Sequence, residues 1–330
     1  MRTAVIGAGA WGTALADLLA KNGHAVALWA YESDVVSDVN AHHANRRYLR
    51  GASIHAAVRA TSDVREAVTG AELVVFVTPS HVLRAVIRSC APHVSSTATI
   101  VVASKGIEAE TLALMTDVAA QELPGRAVVA FSGPSFAAEV AAGQPTAVVA
   151  ASANPAAAEM VQRACSSPVF RIYTHDDVLG VELGGALKNV MAIAVGIADG
   201  LGLGYNTRAA LITRGLAEMA RLGTALGATP ATFAGLAGMG DLVLTCTGPL
   251  SRNRSLGVEI GRGRSLTEAL AGRDTVAEGV PTARSAHALA QARKIDMPIV
   301  ATVHGVLFEG RTARDSIRSL MTRELKGEQG

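Results

Sequence analysis

Ala4-Val5-Ile6-Gly7-Ala8-Gly9-Ala10-Trp11-Gly12-Thr13-Ala14-Leu15-Ala16-Asp17-Leu18-Leu19 is the stretch that decides the fold. A short apolar run, a G-x-G-x-x-G turn and a helical pattern follow one another in the order of a mononucleotide-binding half. Gly7 permits the tight turn, Gly9 lets the backbone approach a pyrophosphate, and Gly12 lets helix and strand pack closely. The helix starting there presents free N–H groups to the anion. An ordinary glycine-rich turn is the competing interpretation. The strand before the motif and the helix after it favour a dinucleotide site.

Outward from that turn, apolar runs alternate with helical patterns through the first half of the chain. Candidate strands are Ala4–Ile6, Val26–Trp29, Leu73–Val77, Ala98–Val102 and Val128–Ala130, with Ala147–Ala151 and Val169–Tyr173 as extensions of the sheet. Short continuous apolar runs suit strands buried on both faces. Several end in polar turns: Thr78-Pro79-Ser80, Ser104-Lys105-Gly106 and Ser132-Gly133-Pro134-Ser135. Ligands of open α/β sheets bind outside the carboxyl ends of the strands, so a substrate is expected at these turns. After Asp176 the pattern becomes helical, over Val178 onward, Asn206–Leu226, Leu266–Ala271, Thr282–Lys294, Pro298–Phe308 and Arg311–Met321. The expected fold is α/β: an N-terminal Rossmann-type dinucleotide-binding domain (1–176) plus an all-helical C-terminal domain (177–330) carrying substrate and catalytic groups. No Pro/Gly/Ser linker separates the halves, which predicts a broad interface with the active site between them.

Composition narrows the function. The 330 residues are 49% hydrophobic but only 4% aromatic, so Ala, Val and Leu carry the packing, as in helices laid on a parallel sheet. A net charge of +2 excludes a broadly basic nucleic-acid surface, and Arg46-Arg47 and Arg252-Asn253-Arg254 are local clusters. No apolar run is read as long enough for a membrane span. The start Met1-Arg2-Thr3 enters a strand at once, which predicts no signal peptide. Cys90, Cys165 and Cys246 are odd in number and lack metal spacing, so they read as reduced thiols of a cytosolic protein. The histidines are scattered without ligand spacing, and no metal site is expected.

Three features of the second half carry candidate chemistry. Lys188 lies in Gly184-Gly185-Ala186-Leu187-Lys188-Asn189, inside an apolar helix. Each helical glycine costs about 1 kcal/mol relative to alanine, so two adjacent ones need a reason. They stand three and four residues before Lys188, on its face of the helix, and would leave room for a ligand beside the ammonium. A close helix crossing with a lysine reaching to water fits the same pattern. Ser251-Arg252-Asn253-Arg254 offers a hydroxyl, a guanidinium fork and an amide, a set suited to phosphate, and equally reads as a solvated loop. Asp241, after Gly238-Met239-Gly240, could accept hydrogen bonds from substrate hydroxyls or cap a helix.

Taken in order, these blocks resemble the NAD(P)-dependent glycerol-3-phosphate dehydrogenases of the bacterial biosynthetic type. The matching stretches are GAGAWGTALA at Gly7–Ala16, SKG at Ser104–Gly106 and SGPSFAAEV at Ser132–Val140. They continue with GGALKNVMAIAVGIADGLGLGYNTRAALI at Gly184–Ile212, GLAGMGDLVLTC at Gly235–Cys246, SRNRSLG at Ser251–Gly257 and VAEGVPTA at Val276–Ala283. The resemblance implies an sn-glycerol-3-phosphate:NAD(P)+ 2-oxidoreductase, transferring hydride reversibly between C2 of sn-glycerol 3-phosphate and the nicotinamide; the opposite direction reduces dihydroxyacetone phosphate. It also implies a helical domain of the 6-phosphogluconate-dehydrogenase-like kind, a homodimer, a cytoplasmic location and a supply of glycerol phosphate for phospholipid synthesis. By residue match it places the catalytic lysine at Lys188. Substrate contacts fall at Lys105, Gly133, Ser135, Lys188, Asp241, Ser251, Arg252 and Asn253. Cofactor contacts fall at Gly7, Gly9, Ala10, Trp11, Gly12, Lys105, Ala137, Arg252, Val276 and Glu278.

Chemistry agrees with that assignment. An alkoxide develops as hydride reaches a ketone, and a nearby ammonium stabilises it and supplies the proton. Lys188 would be that acid, with Lys105 pushing its pKa downward. Ser251, Arg252 and Asn253 would clamp the phosphate and align the carbon. Closure of the helical domain would exclude water. One departure bears on the cofactor. The second strand runs into Ala30-Tyr31-Glu32, and Glu32 stands about twenty residues beyond Gly12, where an acid holds a ribose 2′-OH and repels a 2′-phosphate. Many bacterial members carry an arginine there, so Tyr31 and Glu32 tilt the expectation from NADP toward NAD. A dehydrogenase of 3-hydroxyacyl or β-hydroxyacid substrates, and a nucleotide-sensing protein with a dead site, are the competing readings. The combination of Lys188 with Ser251-Arg252-Asn253 argues against both.

Overall fold

A computed structural model describes residues 1–272, 276–325 and 327–328. Strands β1 (Arg2–Ile6), β2 (Ala25–Trp29), β3 (Val58–Thr61), β4 (Leu73–Phe76), β5 (Thr99–Val102), β6 (Val128–Ser132), β7 (Thr146–Ala151) and β8 (Phe170–His175) form one sheet, in the order β3-β2-β1-β4-β5-β6-β7-β8. All neighbours are parallel except β6 and β7. The central β4 and β5 are buried along their whole length, as strands covered on both faces require. Helices α1 (Ala10–Lys21), α2 (Ser33–His42), α3 (Val64–Val68), α4 (Ser80–Cys90), α5 (Met115–Glu122), α6 (Ala137–Ala141) and α7 (Pro155–Cys165) accompany the sheet.

Seven strands lie within a few residues of their expected places. The eighth, β3, was not expected. It pairs only with β2, at the sheet edge, and its Val-Arg-Ala-Thr sequence has an exposed Arg59 in place of a continuous apolar run. The strand order turns back between β1 and β4, which is the switch point where open α/β sheets bind ligands. Gly7 occupies it with φ 118°, a conformation that side chains disfavour. A Cβ on Gly12 would lie 1.8 Å from the Gly7 carbonyl oxygen, so the helix can start this close to the strand only without one.

Beyond β8 the described residues contain no strand. Helix α8 (Val178–Gly200) runs through the centre of the second half, surrounded by α9 (Tyr205–Leu226), α10 (Pro230–Phe233), α11 (Asp241–Thr247), α12 (Arg252–Gly261), α13 (Leu266–Leu270), α14 (Gly279–Arg293), α15 (Pro298–Phe308) and α16 (Ala313–Met321). At 23 residues, α8 does reach the length and apolarity of a membrane-crossing helix, contrary to expectation, but most of it is buried inside the protein. It is apolar all round because other helices cover it all round. The solvated loop considered around Ser251 is instead the start of α12. That helix presses its backbone against α8: a Cβ on Gly196 would meet Arg254 O at 2.2 Å, and one on Gly261 would meet Ile197 O at 2.3 Å. Glycines four apart on both helices (Gly196 and Gly200, Gly257 and Gly261) make this close crossing possible.

Candidate active site

The two halves meet at the carboxyl ends of β5 and β6. There α8 brings Lys188, α11 brings Asp241, and the turn after β5 brings Lys105. Lys188 Nζ donates to Asp241 Oδ1 at 2.5 Å and to Thr245 Oγ1 at 2.8 Å. Lys105 Nζ donates to Asp241 Oδ2 at 2.6 Å. One buried carboxylate therefore bridges two ammonium groups, and Lys105 also lies 3.4 Å from the Gly133 carbonyl. Thr245 donates its own proton to the Asp241 carbonyl at 2.6 Å, which leaves its lone pairs for Lys188.

Burial pushes the Lys188 pKa down to about 8; Asp241 opposes the shift and the Lys105 charge assists it. The depression expected from Lys105 is therefore present, but loss of water around the ammonium is the larger cause.

The glycine pair before Lys188 has a reason different from the expected one. A Cβ on Gly184 would lie 2.5 Å from the Ala237 carbonyl oxygen, in the π turn (Leu236–Gly240) that leads into α11. A Cβ on Gly185 would lie 2.6 Å from Ser132 Oγ and 3.4 Å from Lys105 Cδ. The space beside Lys188 is thus filled by the protein itself, and it admits the elements that carry Asp241 and Lys105.

Gly133 follows β6 directly with φ 142°, and a Cβ there would lie 2.8 Å from Val148 Cα. The Ser135 hydroxyl donates to the Gly133 carbonyl at 3.0 Å, and Ala137 opens α6 just beyond. Ser251 caps α12, its hydroxyl accepting from Arg254 N at 3.2 Å, and Arg252 lies exposed in the first turn. Asn253 is buried. Its Nδ2 donates to Asn189 Oδ1 at 2.9 Å, and its Oδ1 accepts from Gly279 N at 2.9 Å, so it ties α12 to α8 and α14. Arg254 turns away to Asp199, with Nη2 at 2.6 Å from its carboxylate. Glu278 accepts from Ser80 Oγ at 2.5 Å and Ser80 N at 3.2 Å, while Val276 is exposed.

The nucleotide turn fits a dinucleotide. Gly9 caps α1 with no side chain bonded to the helix N-terminus, and a Cβ there would meet nothing within 4 Å. The N–H groups starting at Ala10 thus have no capping side chain, and the space beside Gly9 is open, as close approach of a pyrophosphate needs. Asn45 Nδ2 holds the turn through the Ala8 carbonyl at 2.9 Å. Trp11 stacks on Phe131, with centroids 6.5 Å apart. At the end of β2, Tyr31 is 82% exposed and Glu32 accepts from the Tyr48 hydroxyl at 2.6 Å.

Thr245 and Asn189 were not singled out in the sequence, and Ser80 was named only as the end of a turn where substrate was expected. Thr245 stands four residues after Asp241, on the same face of α11, and would have been found had that stretch been read as a helix. The fold also gathers His287, His304 and Glu309, with ligand atoms within 4.8 Å of one another, which linear spacing does not reveal. The two imidazoles stack face to face at 4.2 Å, and His304 Nδ1 lies 3.0 Å from Glu309 Oε1.

Comparison with known proteins points one way. Residues 2–158 match the model of the NAD-dependent glycerol-3-phosphate dehydrogenase N-terminus, and residues 177–318 that of its C-terminus. The chain is 56% identical to a glycerol-3-phosphate dehydrogenase [NAD(P)+] of Geobacter metallireducens, over 99% of this chain and 98% of the relative. It is 55% identical to one of Trichlorobacter lovleyi, over the full length of both. Among solved structures, the glycerol-3-phosphate dehydrogenase of Coxiella burnetii superposes with a TM-score of 0.95 at 42% identity, covering 98% of this chain and 99% of that one.

Proposed function

The chain belongs to the NAD-dependent glycerol-3-phosphate dehydrogenase family, and from that premise we propose that it interconverts dihydroxyacetone phosphate and sn-glycerol 3-phosphate with Lys188 as the proton donor. It is an oxidoreductase that uses NAD or NADP. The observation that carries the proton-donor reading is the buried Lys188 ammonium, bonded to Asp241 and Thr245 at the junction of the two halves.

Gly7, Gly9, Ala10, Trp11 and Gly12 would hold the cofactor at the turn after β1, with Ala137, Val276 and Glu278 on neighbouring segments; when bound, its nicotinamide gives or takes the hydride. Lys188 holds a proton beside the substrate oxygen. In reduction it passes that proton to the oxygen that becomes the C2 hydroxyl; in oxidation it takes it back. With a pKa near 8 the proton moves either way at neutral pH without a large penalty. Asp241 keeps the ammonium oriented, and Lys105 adds positive charge where the oxygen becomes negative. Arg252 and the capped start of α12, with its N–H groups, would receive the phosphate. Asn253 would fix that helix start through Asn189 and Gly279. Gly133 and Ser135 would line the substrate side of β6.

We assign the Rossmann-type domain to 1–176 and the catalytic helical domain to 177–330, consistent with the end of β8 at His175 and the start of α8 at Val178. A homodimer in the cytoplasm that supplies phospholipid synthesis completes the proposal. Glu32, held by Tyr48 beside the exposed Tyr31, supports a preference for NAD over NADP. Purified protein with dihydroxyacetone phosphate and NADH, followed by loss of reduced-nicotinamide absorbance, tests the activity. Absence of turnover with either reduced cofactor would refute it.

A further inference from the structure

Glu182 belongs to none of the sites assigned above. It stands on α8 three residues before Gly185 and six before Lys188, on the face that Gly185 lays against Lys105. Its carboxylate reaches out of the helical half to the first turn of α5. There it accepts from Thr116 N at 2.9 Å and from the Thr116 hydroxyl. A helix N-terminus is where a carboxylate is favoured, because its first N–H groups have no partner within the helix. Glu182 also walls a small cavity with Ser104, Lys105, Gly106 and Ser132, so it faces the turn that carries Lys105. Beside that turn, where a Cβ on Gly106 would lie 2.6 Å from Ser80 Cβ, Glu278 makes the equivalent reach to Ser80, at the start of α4. Two carboxylates of the helical half thus fasten two helices of the sheet half.

We propose that Glu182 is a positioning residue for the reaction: by fastening α8 to α5 it sets the depth and rotation at which Lys188 meets Asp241 and Lys105. The proposal rests on the reading of Lys188 as proton donor. Its physical basis is that the Lys188 pKa is lowered by burial and by the Lys105 charge, and both depend on how α8 is seated. The titratable groups that act most on Lys188 are Asp241 and Cys246, which raise its pKa, and Lys105, which lowers it; Thr245 adds a neutral acceptor. The hydrogen bonds of Glu182 go to Thr116 and to none of these three titratable groups, although it shares a cavity wall with Lys105. A change at Glu182 therefore reaches Lys188 through the seating of α8 against α5 and against the turn that carries Lys105.

Three variants test this. Glu182→Ala removes the fastening, and Thr116→Val removes its hydroxyl half with little change of shape. Glu182→Gln keeps the shape: its amide oxygen can accept from Thr116 N while its NH2 donates to the Thr116 hydroxyl. The readout is the pH dependence of Lys188 acetylation by acetic anhydride in cofactor-free protein, quantified on the Lys188 peptide by mass spectrometry. Glu182→Ala is expected to move the Lys188 midpoint upward from about 8 toward the ordinary lysine value, Thr116→Val less far in the same direction, and Glu182→Gln hardly at all. Turnover should fall about 10- to 100-fold in Glu182→Ala with the KM for NADH little changed, and recover in Glu182→Gln. An unshifted labelling curve in both Glu182→Ala and Thr116→Val overturns the proposal, and Thr116→Val decides alone if Glu182→Ala does not fold. Normal turnover in a Lys188→Ala protein assayed alongside would instead remove the proton-donor reading, a result the labelling curve does not depend on.

Discussion

At the scale of single residues, the proposed chemistry turns on one buried carboxylate between two lysines. Lys188→Ala should lower turnover by about 10²- to 10⁴-fold or more, since a proton donor and a stabiliser of the developing oxyanion are lost together. Cofactor binding, followed by quenching of protein fluorescence, should survive; near-normal turnover would disprove the role. The pH dependence carries its own sign. Reduction needs the ammonium, so kcat/KM for dihydroxyacetone phosphate should fall as pH rises through about 8, while oxidation needs the neutral amine and should rise through the same range. Two profiles with the same slope would contradict one group serving both directions. Arg252→Ala should raise the KM for dihydroxyacetone phosphate by at least about 10-fold, because charge-assisted bonds to phosphate are worth about 1.5–3 kcal/mol each. Unphosphorylated dihydroxyacetone should be a poor substrate whose rate hardly responds to that change. Equal losses on both substrates would place Arg252 with the cofactor or the fold.

At the scale of elements, position comes from what small residues allow. Helix α8 reaches the Lys105 side chain because Gly185 has none, and it reaches the π turn before α11 because Gly184 has none. Gly185→Ala should therefore cost more activity than stability: its Cβ would press on Ser132 Oγ and Lys105, while alanine itself favours the helix by about 1 kcal/mol. Turnover and melting temperature measured on the same preparation check this, and a variant with full activity would show that the Lys105 contact is dispensable. In the proposed reading, the end of β2 sets cofactor choice in the same local way. Glu32 lies just past the strand, its carboxylate held by Tyr48, and would meet a 2′-phosphate with like charge. Wild-type enzyme should favour NADH over NADPH in kcat/KM, and Glu32→Arg should shift the ratio toward NADPH. An unchanged ratio would mean that another residue near the ribose decides it.

At the scale of the whole molecule, what sequence made legible was what repeats or marks itself. Continuous apolar runs disclosed seven strands, and the glycine turn disclosed the nucleotide site, because parallel-strand burial and pyrophosphate approach each impose a local pattern. The edge strand β3 and the α11–α12 segment were hidden because their geometry is imposed from outside, by β2 in one case and by the glycine seam of α8 in the other. Lys188 and Asp241 stood out beside glycines, and Thr245 was hidden because α11 was not expected, whereas Asn189 and Glu182 act across helices that sequence does not place side by side. The same long-range assembly makes stability depend on pH. Glu218 on α9 is 2% exposed and accepts from Ile299 N at 2.7 Å and Val300 N at 3.3 Å, capping α15 from a neighbouring helix. Burial raises its pKa to about 7, and Glu182 is raised to about 7 in the same way. A carboxyl raised on folding binds its proton more tightly in the native state. Its stabilising contribution is therefore complete below the unfolded value near 4.5 and is lost as pH climbs through about 7. Each group should account for a decline on the order of 1–3 kcal/mol across that window. Glu218→Gln cannot ionise and keeps one acceptor for Ile299 N. Its unfolding free energy in urea, measured from pH 5 to pH 8, should start lower for want of the second acceptor and fall less steeply than that of the wild type. Parallel curves would show that Glu218 stays ionised throughout, held by the α15 N-terminus against the cost of its burial.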